Sequence, residues 1–177
     1  MKSPKPVRVL LAEDHPIVRQ GLCALVKSDA NLLLVGEART GREAVALAQT
    51  THPDVIVMDI AMPELNGLEA TRQILAAKSP AGILILTAHI EEEYIRQARL
   101  AGAAGFLRKE NSAGSLLDAI SRIARREEYF DSVQGPRGSK NPFKSGGSRS
   151  GLPKAPPAPT SERESGDFGL SPQGSAG

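Results

Sequence analysis

Three carboxylates, a hydroxyl and an ammonium group stand directly after short apolar runs in this chain. Glu13-Asp14 follows Val7–Ala12, Asp59 follows Val55–Met58, Thr87 follows Ile83–Leu86, and Arg108-Lys109 follows Ala104–Leu107. If folding gathers them, the chemistry is constrained. Two like unit charges about 4 Å apart repel by roughly 4 kcal/mol at an effective dielectric near 20. Clustered acids therefore need protonation or a hard divalent cation with oxygen ligands, and Mg²⁺ with some retained waters suits them. Lysine adds positive charge, and a threonine hydroxyl can donate to a phosphoryl oxygen. Together these are the parts of a phosphoryl-transfer site, where positioning and charge neutralisation do most of the catalysis. The carboxylate nearest the centre can accept the phosphoryl group as a mixed anhydride. Taken singly, an acid at a strand end reads equally well as a helix cap, as Asp14 before His15-Pro16 does, or Asn66. Taken jointly, complementary groups at successive strand ends point to one pocket. Arg108 and Lys109 alternate in direction, so only one of them can enter it.

The elements that must position these groups are legible as alternating periods. The four runs above and a fifth, Leu32–Glu37, each have the length of a buried strand. Between and after them lie helical spacings: Ile17, Val18, Leu22, Leu25 and Val26; Ala44, Val45, Leu47 and Ala48; Leu68, Ile74 and Leu75; Ile95, Ala98 and Leu100; Leu116, Leu117, Ile120 and Ile123. Thr40 with Glu43 and Asn66 with Glu69 have capping-box spacing, and Pro16 suits a first helical turn. Strands apolar on both faces require a parallel sheet covered by helices on both sides. The expected fold is α/β, a (βα)5 doubly wound parallel sheet of flavodoxin-like order 2-1-3-4-5, whose ligand crevice lies at the C-terminal edge of the strands.

Composition sets the boundaries: residues 1–6 form an extension, 7–128 the folded domain, and 129–177 a tail. Beyond Asp131 roughly half the residues are Gly, Pro or Ser, too little apolar surface to offset chain entropy, so the tail is expected to be disordered. A net charge of +2 gives no electrostatic reason to expect nucleic acid or an anionic membrane as partner. The tail's Arg137, Lys140, Lys144, Arg149 and Lys154 read as a solvated linker. Cys23 is the sole cysteine, with apolar helical neighbours and no adjacent histidine, and reads as a packed thiol in a reducing cytoplasm. No apolar run reaches the length of a signal core or a membrane span. His15, His52 and His89 are too dispersed for a metal site and read as surface or loop residues.

Glu13-Asp14-His15, DVIVMDIAMPELNG at Asp54–Gly67, LILTAH at Leu84–His89 and GAAGFLRK at Gly102–Lys109 resemble the signature segments of bacterial response-regulator receiver domains. The resemblance spans about residues 7–128, and EDHPIVRQGL is similar to receivers of NarL/FixJ-type transcription regulators. It implies a two-component phosphorelay in which Asp59 accepts phosphate from a sensor histidine kinase. It also implies Mg²⁺ held by Glu13, Asp14, Asp59 and the backbone carbonyl of Ala61, some through water. Lys109 would bind the phosphoryl oxygens, Thr87 would move toward them, and Phe106 would be the aromatic switch that follows the threonine. Plain core packing is the other reading of Phe106. The face formed by the fourth helix, fifth strand and fifth helix would carry the signal as a population shift, and family members often form homodimers through the receiver.

Two departures matter. Glu110 stands where many receivers carry proline, so that loop is expected to lack a cis peptide bond. After Phe130 no helix-length periodicity continues into a helix-turn-helix; only PTSERES at Pro159–Ser165 is similar to the start of one. Two expectations stay open: a truncated or frame-shifted transcription regulator, and a stand-alone receiver acting by protein contacts or as a phosphate sink. In either case this chain is not expected to bind DNA specifically. A haloacid-dehalogenase-type phosphatase needs a second aspartate two positions after the nucleophile. Ala61 stands there, so no enzyme with outside substrates is expected. Carboxylates in the first loop argue against an anionic flavin-type cofactor, and the absence of GxxxxGK[ST] against an NTPase.

Overall fold

The apolar runs form strands because their β-branched and leucine side chains fill both faces of a sheet, with Arg8 near the start of the first run and Glu37 at the end of the second as exposed polar exceptions. A computed structural model describes residues 5–88, 91–111 and 113–130 of the chain. In chain order the elements are β1 (Val7–Ala12), α1 (Pro16–Ser28), β2 (Leu32–Ala38), α2 (Gly41–Thr51), β3 (Val55–Met58), α3 (Gly67–Ala76), β4 (Gly82–Thr87), α4 (Glu92–Ala101), β5 (Gly105–Arg108), α5 (Ala113–Ala124) and β6 (Tyr129–Phe130). All strands pair in parallel in the order β2-β1-β3-β4-β5-β6. The expected order holds over its five strands.

The sheet is longer by one strand than expected. Tyr129 and Phe130, assigned to the tail by composition, pair with Gly105 and Phe106 of β5. Their rings are covered by guanidinium groups, Arg99 at 3.5 Å from the Phe130 centroid and Arg122 at 5.3 Å from that of Tyr129. The rest of the tail, with Arg137, Lys140, Lys144, Arg149, Lys154 and PTSERES, lies outside the described residues, as does His89.

Alternation along the strands sends side chains to two separate cores. Leu10, Ile56, Met58, Ile83, Ile85 and Phe106 pack under α2, α3 and α4. Val9, Leu11, Val57, Leu84, Leu86 and Leu107 pack under α1 and α5. The expected helix faces hold with three exceptions: Ile17, Val18 and Leu100, counted as apolar-face residues, are 85%, 36% and 69% exposed. Cys23 is buried, as read from its neighbours. Burial pushes its thiol up to about 11, assisted by a hydrogen bond to Glu37, which keeps the sulfur neutral and unreactive.

Helix starts follow local chemistry. Thr40 accepts the Glu43 N–H at 3.1 Å, and Asn66 accepts that of Glu69 at 2.9 Å. Glu43 returns its carboxylate to the Arg39 N–H rather than to Thr40, so the box is wider by one residue. Among the described residues no helix is long and apolar enough to cross a membrane.

Candidate functional site

The polar residues meet because ladder hydrogen bonds continue past the strand ends. The Glu13 N–H donates to Ala38 at 3.0 Å, Asp59 N–H to Ala12 at 2.9 Å, and Lys109 N–H to Thr87 at 2.8 Å. These bonds set the first residue after β1, β3 and β5 level along one edge of the sheet. Lys109, not Arg108, enters the crevice: its Nζ donates to Asp59 Oδ2 at 2.8 Å and lies 2.7 Å from Glu13 Oε2. Thr87 is fully buried at the end of β4, and Phe106 is buried in the sheet face under α4. Thr87 lies two residues beyond Ile85, the register partner of Phe106, so the two occupy the same face of adjacent strands.

Burial makes this cluster electrostatically expensive. Glu13 and Asp59 retain only 1% and 3% of their accessible surface. Three carboxylates, counting Asp14, face one ammonium. Burial alone would lower the Lys109 pKa, but the hydrogen bond to Asp59 and the close negative charges of Asp59 and Glu13 outweigh it and raise the value, so the lysine stays charged. One lysine does not satisfy every oxygen. The contact to Glu13 Oε2 lacks hydrogen-bond alignment, and both that atom and Asp14 Oδ1 are buried without a hydrogen bond. One donor atom from each of Glu13, Asp14, His15 and Asp59 falls within 4.8 Å of the others. Orphaned buried oxygens on hard carboxylate ligands fit a divalent cation well.

Backbone packing fixes the geometry from below. A Cβ added at Gly67, the first residue of α3, would come 1.9 Å from the Asp59 carbonyl oxygen. Only glycine lets this helix start abut the loop after β3, which the Gly67 N–H grips through the Ile60 carbonyl at 2.9 Å. Thr71 adds a hydrogen bond to the Gly67 carbonyl at 2.7 Å. Asp14 is not the cap of α1; His15 occupies that position and its side chain caps nothing.

Sequence reasoning missed two contributors. Arg19 is buried on α1, and its Nη1 donates to the carbonyls of Glu13 at 2.8 Å and Asp14 at 3.2 Å, pinning the acidic pair from behind. An arginine among the apolar residues of a helix packed under the sheet was the available signal. His15 is 66% exposed, as a surface residue should be, yet its Nδ1 lies 2.9 Å from Asp14 Oδ1 and 3.3 Å from Glu13 Oε1. Its place directly after two acids was the signal. His52 is an exposed residue at the end of α2, before the start of β3 and so at the opposite end of that strand from Asp59.

Known proteins resemble this chain in sequence and fold. The model of the response regulator receiver domain matches residues 9–121. The transcriptional regulatory protein LiaR of Bacillus subtilis (strain 168) is 38% identical over 126 residues, 71% of this chain and 60% of LiaR. The uncharacterized transcriptional regulatory protein YxjL of the same organism is 41% identical over 127 residues, 72% of this chain and 58% of YxjL. The chain thus spans about 60% of the length of these curated relatives. Among solved structures, a two-component response regulator of the LuxR family from Aurantimonas sp. SI85-9A1 superposes with a TM-score of 0.68 at 36% identity. That match covers 71% of this chain and 89% of the other. With the fold, the acidic edge and these matches in agreement, the chain belongs to the response regulator receiver domain family.

Proposed function

We propose that this protein is a phosphorylation-operated switch in a two-component pathway, with Asp59 accepting a phosphoryl group from the phosphohistidine of a sensor histidine kinase. The observation that carries this reading is the meeting of Asp59, Glu13, Asp14 and Lys109 in one cluster. In the transfer, a carboxylate oxygen of Asp59 bonds to phosphorus while the phosphorus–nitrogen bond breaks, and the released imidazole takes up a proton. Lys109 is held where it can neutralise a phosphoryl oxygen. Glu13, Asp14, Asp59 and the backbone carbonyl of Ala61 would hold Mg²⁺, which supplies further charge neutralisation when bound. Arg19 keeps the acidic pair in place.

Thr87 and Phe106 provide the route outward. A hydroxyl drawn toward the phosphoryl oxygens vacates space on the face it shares with Phe106, and a ring rotation there would alter the surface of α4, β5 and α5. Phosphate drives the change only as far as it binds the active arrangement more tightly. The switch is not an enzyme acting on outside substrates, because Ala61 supplies no proton donor two positions past the acceptor. The relatives' names, transcriptional regulatory proteins, support a place in transcription control for a longer ancestor or parent protein. The second reading is a receiver that acts by protein contact or as a phosphate sink. A homodimer through the receiver and a cytoplasmic location go with either, and the receiver runs from residue 7 through β6, two residues past the expected limit of 128.

The test is incubation with Mg²⁺ and acetyl phosphate followed by intact-mass measurement, with Asp59→Asn alongside. One phosphoryl adduct is expected on the parent and none on the variant. An unmodified parent, or an adduct that survives Asp59→Asn, overturns the assignment.

A further inference from the structure

His15 is the group best placed to decide which cation the carboxylates hold. Two donors each about 2.1 Å from an octahedral ion, at right angles to one another, are separated by about 3.0 Å. The separations of His15 Nδ1 from Asp14 Oδ1 and Glu13 Oε1, 2.9 and 3.3 Å, match neighbouring corners of such a polyhedron. Glu13 divides its oxygens, Oε2 toward Lys109 and Oε1 toward His15, whose backbone N–H also donates to Oε1 at 3.2 Å. That bond ties the position of residue 15 to the carboxylate it accompanies. Asp14 Oδ1 is buried and has no aligned hydrogen bond, even to the nearby ring.

We propose that His15 Nδ1 is a nitrogen ligand that makes this a mixed oxygen and nitrogen site, favouring Mn²⁺ and later first-row divalent ions over Mg²⁺. The proposal rests on the reading of Glu13, Asp14 and Asp59 as cation ligands. Mg²⁺ prefers oxygen and retains water rather than take an imidazole, whereas affinity for nitrogen rises from Mn²⁺ along the first transition row. A nitrogen donor therefore changes Mg²⁺ affinity little and tightens the others. The ring coordinates through Nδ1 with its remaining proton on Nε2, which the exposure of the side chain leaves free to meet water. Its rival is a plain hydrogen bond from Nδ1–H to Asp14, which leaves the ring outside the coordination shell.

Mn²⁺ itself is the probe. The full chain, His15→Gln and His52→Gln would be titrated with Mn²⁺ followed by electron paramagnetic resonance, with pulsed measurements of nitrogen coupling on the bound ion and competition by Mg²⁺. Because His15 caps nothing with its side chain, His15→Gln should keep the fold, and circular dichroism with His15→Ala as a second variant checks that. The expected result is directly bound ¹⁴N coupling in the parent and in His52→Gln, lost in His15→Gln. The preference for Mn²⁺ over Mg²⁺ should fall about tenfold with it. Mn²⁺ that binds the parent without nitrogen coupling overturns the role of His15 and leaves the carboxylate site standing. Failure of the parent to bind Mn²⁺ at all overturns both.

Discussion

The two edges of the sheet carry similar residues and treat them differently. At the N-terminal edge, Arg8 donates through its guanidinium to the carbonyls of Thr51 at 2.6 Å and His52 at 3.2 Å, while its N–H meets Asp54 Oδ2 at 2.8 Å. Arg126 likewise donates to the Pro80 carbonyl. These cations finish helix and strand ends that would otherwise expose bare carbonyls, and each is exposed to water as well. At the C-terminal edge, Glu13 and Asp59 are buried, share one lysine and leave oxygens without hydrogen bonds. Structural charge is answered by the protein itself. The charge that the proposed function would use is left partly unanswered, and that deficit is one a cation or phosphoryl group would fill.

The sharpest way to break the contrast is Lys109→Met, which keeps the apolar stem and deletes the ammonium. Removing one partner of a buried ion pair costs about 3–5 kcal/mol because the surviving charge stays buried. Urea denaturation without divalent cations should show a loss near the lower end of that range, since the rim of the pocket is open at Asp14 and His15. Saturating Mg²⁺ should restore part of it. Unchanged stability in cation-free buffer means the carboxylates do not depend on Lys109, and the deficit argument fails.

A somewhat smaller loss is expected from Gly67→Ala, which tests whether the functional edge is mechanically fixed. The new methyl would sit 1.9 Å from the Asp59 carbonyl oxygen and 2.9 Å from Met58 Cγ, so α3 or the acceptor loop must shift. Overpacking of this kind costs about 1–3 kcal/mol. Gly21→Ala is the matched control: nothing lies within 4 Å of its added Cβ in the middle of α1. That change should stabilise by about 0.5–1 kcal/mol through helix propensity. Gly67→Ala should also slow adduct formation with acetyl phosphate, whereas Gly21→Ala should not. Equal behaviour of the two variants would show the close approach at Gly67 to be tolerant.

What the sequence disclosed follows the same division. The five apolar runs were readable because a sheet covered on both faces leaves no polar alternation to confuse, and Val55–Met58 matches its strand residue for residue. Asp59, Glu13, Asp14 and Lys109 were readable because parallel strands bring their C-terminal ends to one edge whatever the loop lengths between them. Alternation allowed only one of Arg108 and Lys109 into the crevice and the family resemblance singled out Lys109, which is the one found there, while Cys23 is packed as its neighbours implied. Strand β6 was not readable: two residues carry no period, and Tyr129 and Phe130 owe their place to β5 and to Arg99 and Arg122. Ile17 and Leu100 show the limit of periodicity, since an apolar spacing does not reveal where the covering surface stops. Arg19 and His15 were overlooked for a different reason. Their roles depend on which carbonyl or carboxylate lies opposite, and that is fixed by the angle of α1 over the strand end, a tertiary quantity.

The smallest effect is expected at the opposite edge, from Arg8→Ala. The substitution removes two hydrogen bonds to carbonyls at the end of α2 but keeps the backbone N–H bond to Asp54. Charge-assisted bonds to backbone are worth more than neutral ones, yet here water can replace the guanidinium because the residue is exposed. A loss of about 1 kcal/mol follows. Since each of these carbonyls is only re-solvated, no buried group is stranded and no cation should rescue the variant. Adduct formation at Asp59 should proceed at the parental rate. If Arg8→Ala instead slows phosphoryl acceptance, the two edges communicate through β1, which runs from Arg8 at one edge to the residues before Glu13 at the other, and the separation drawn between structural and functional charge gives way to a coupled sheet.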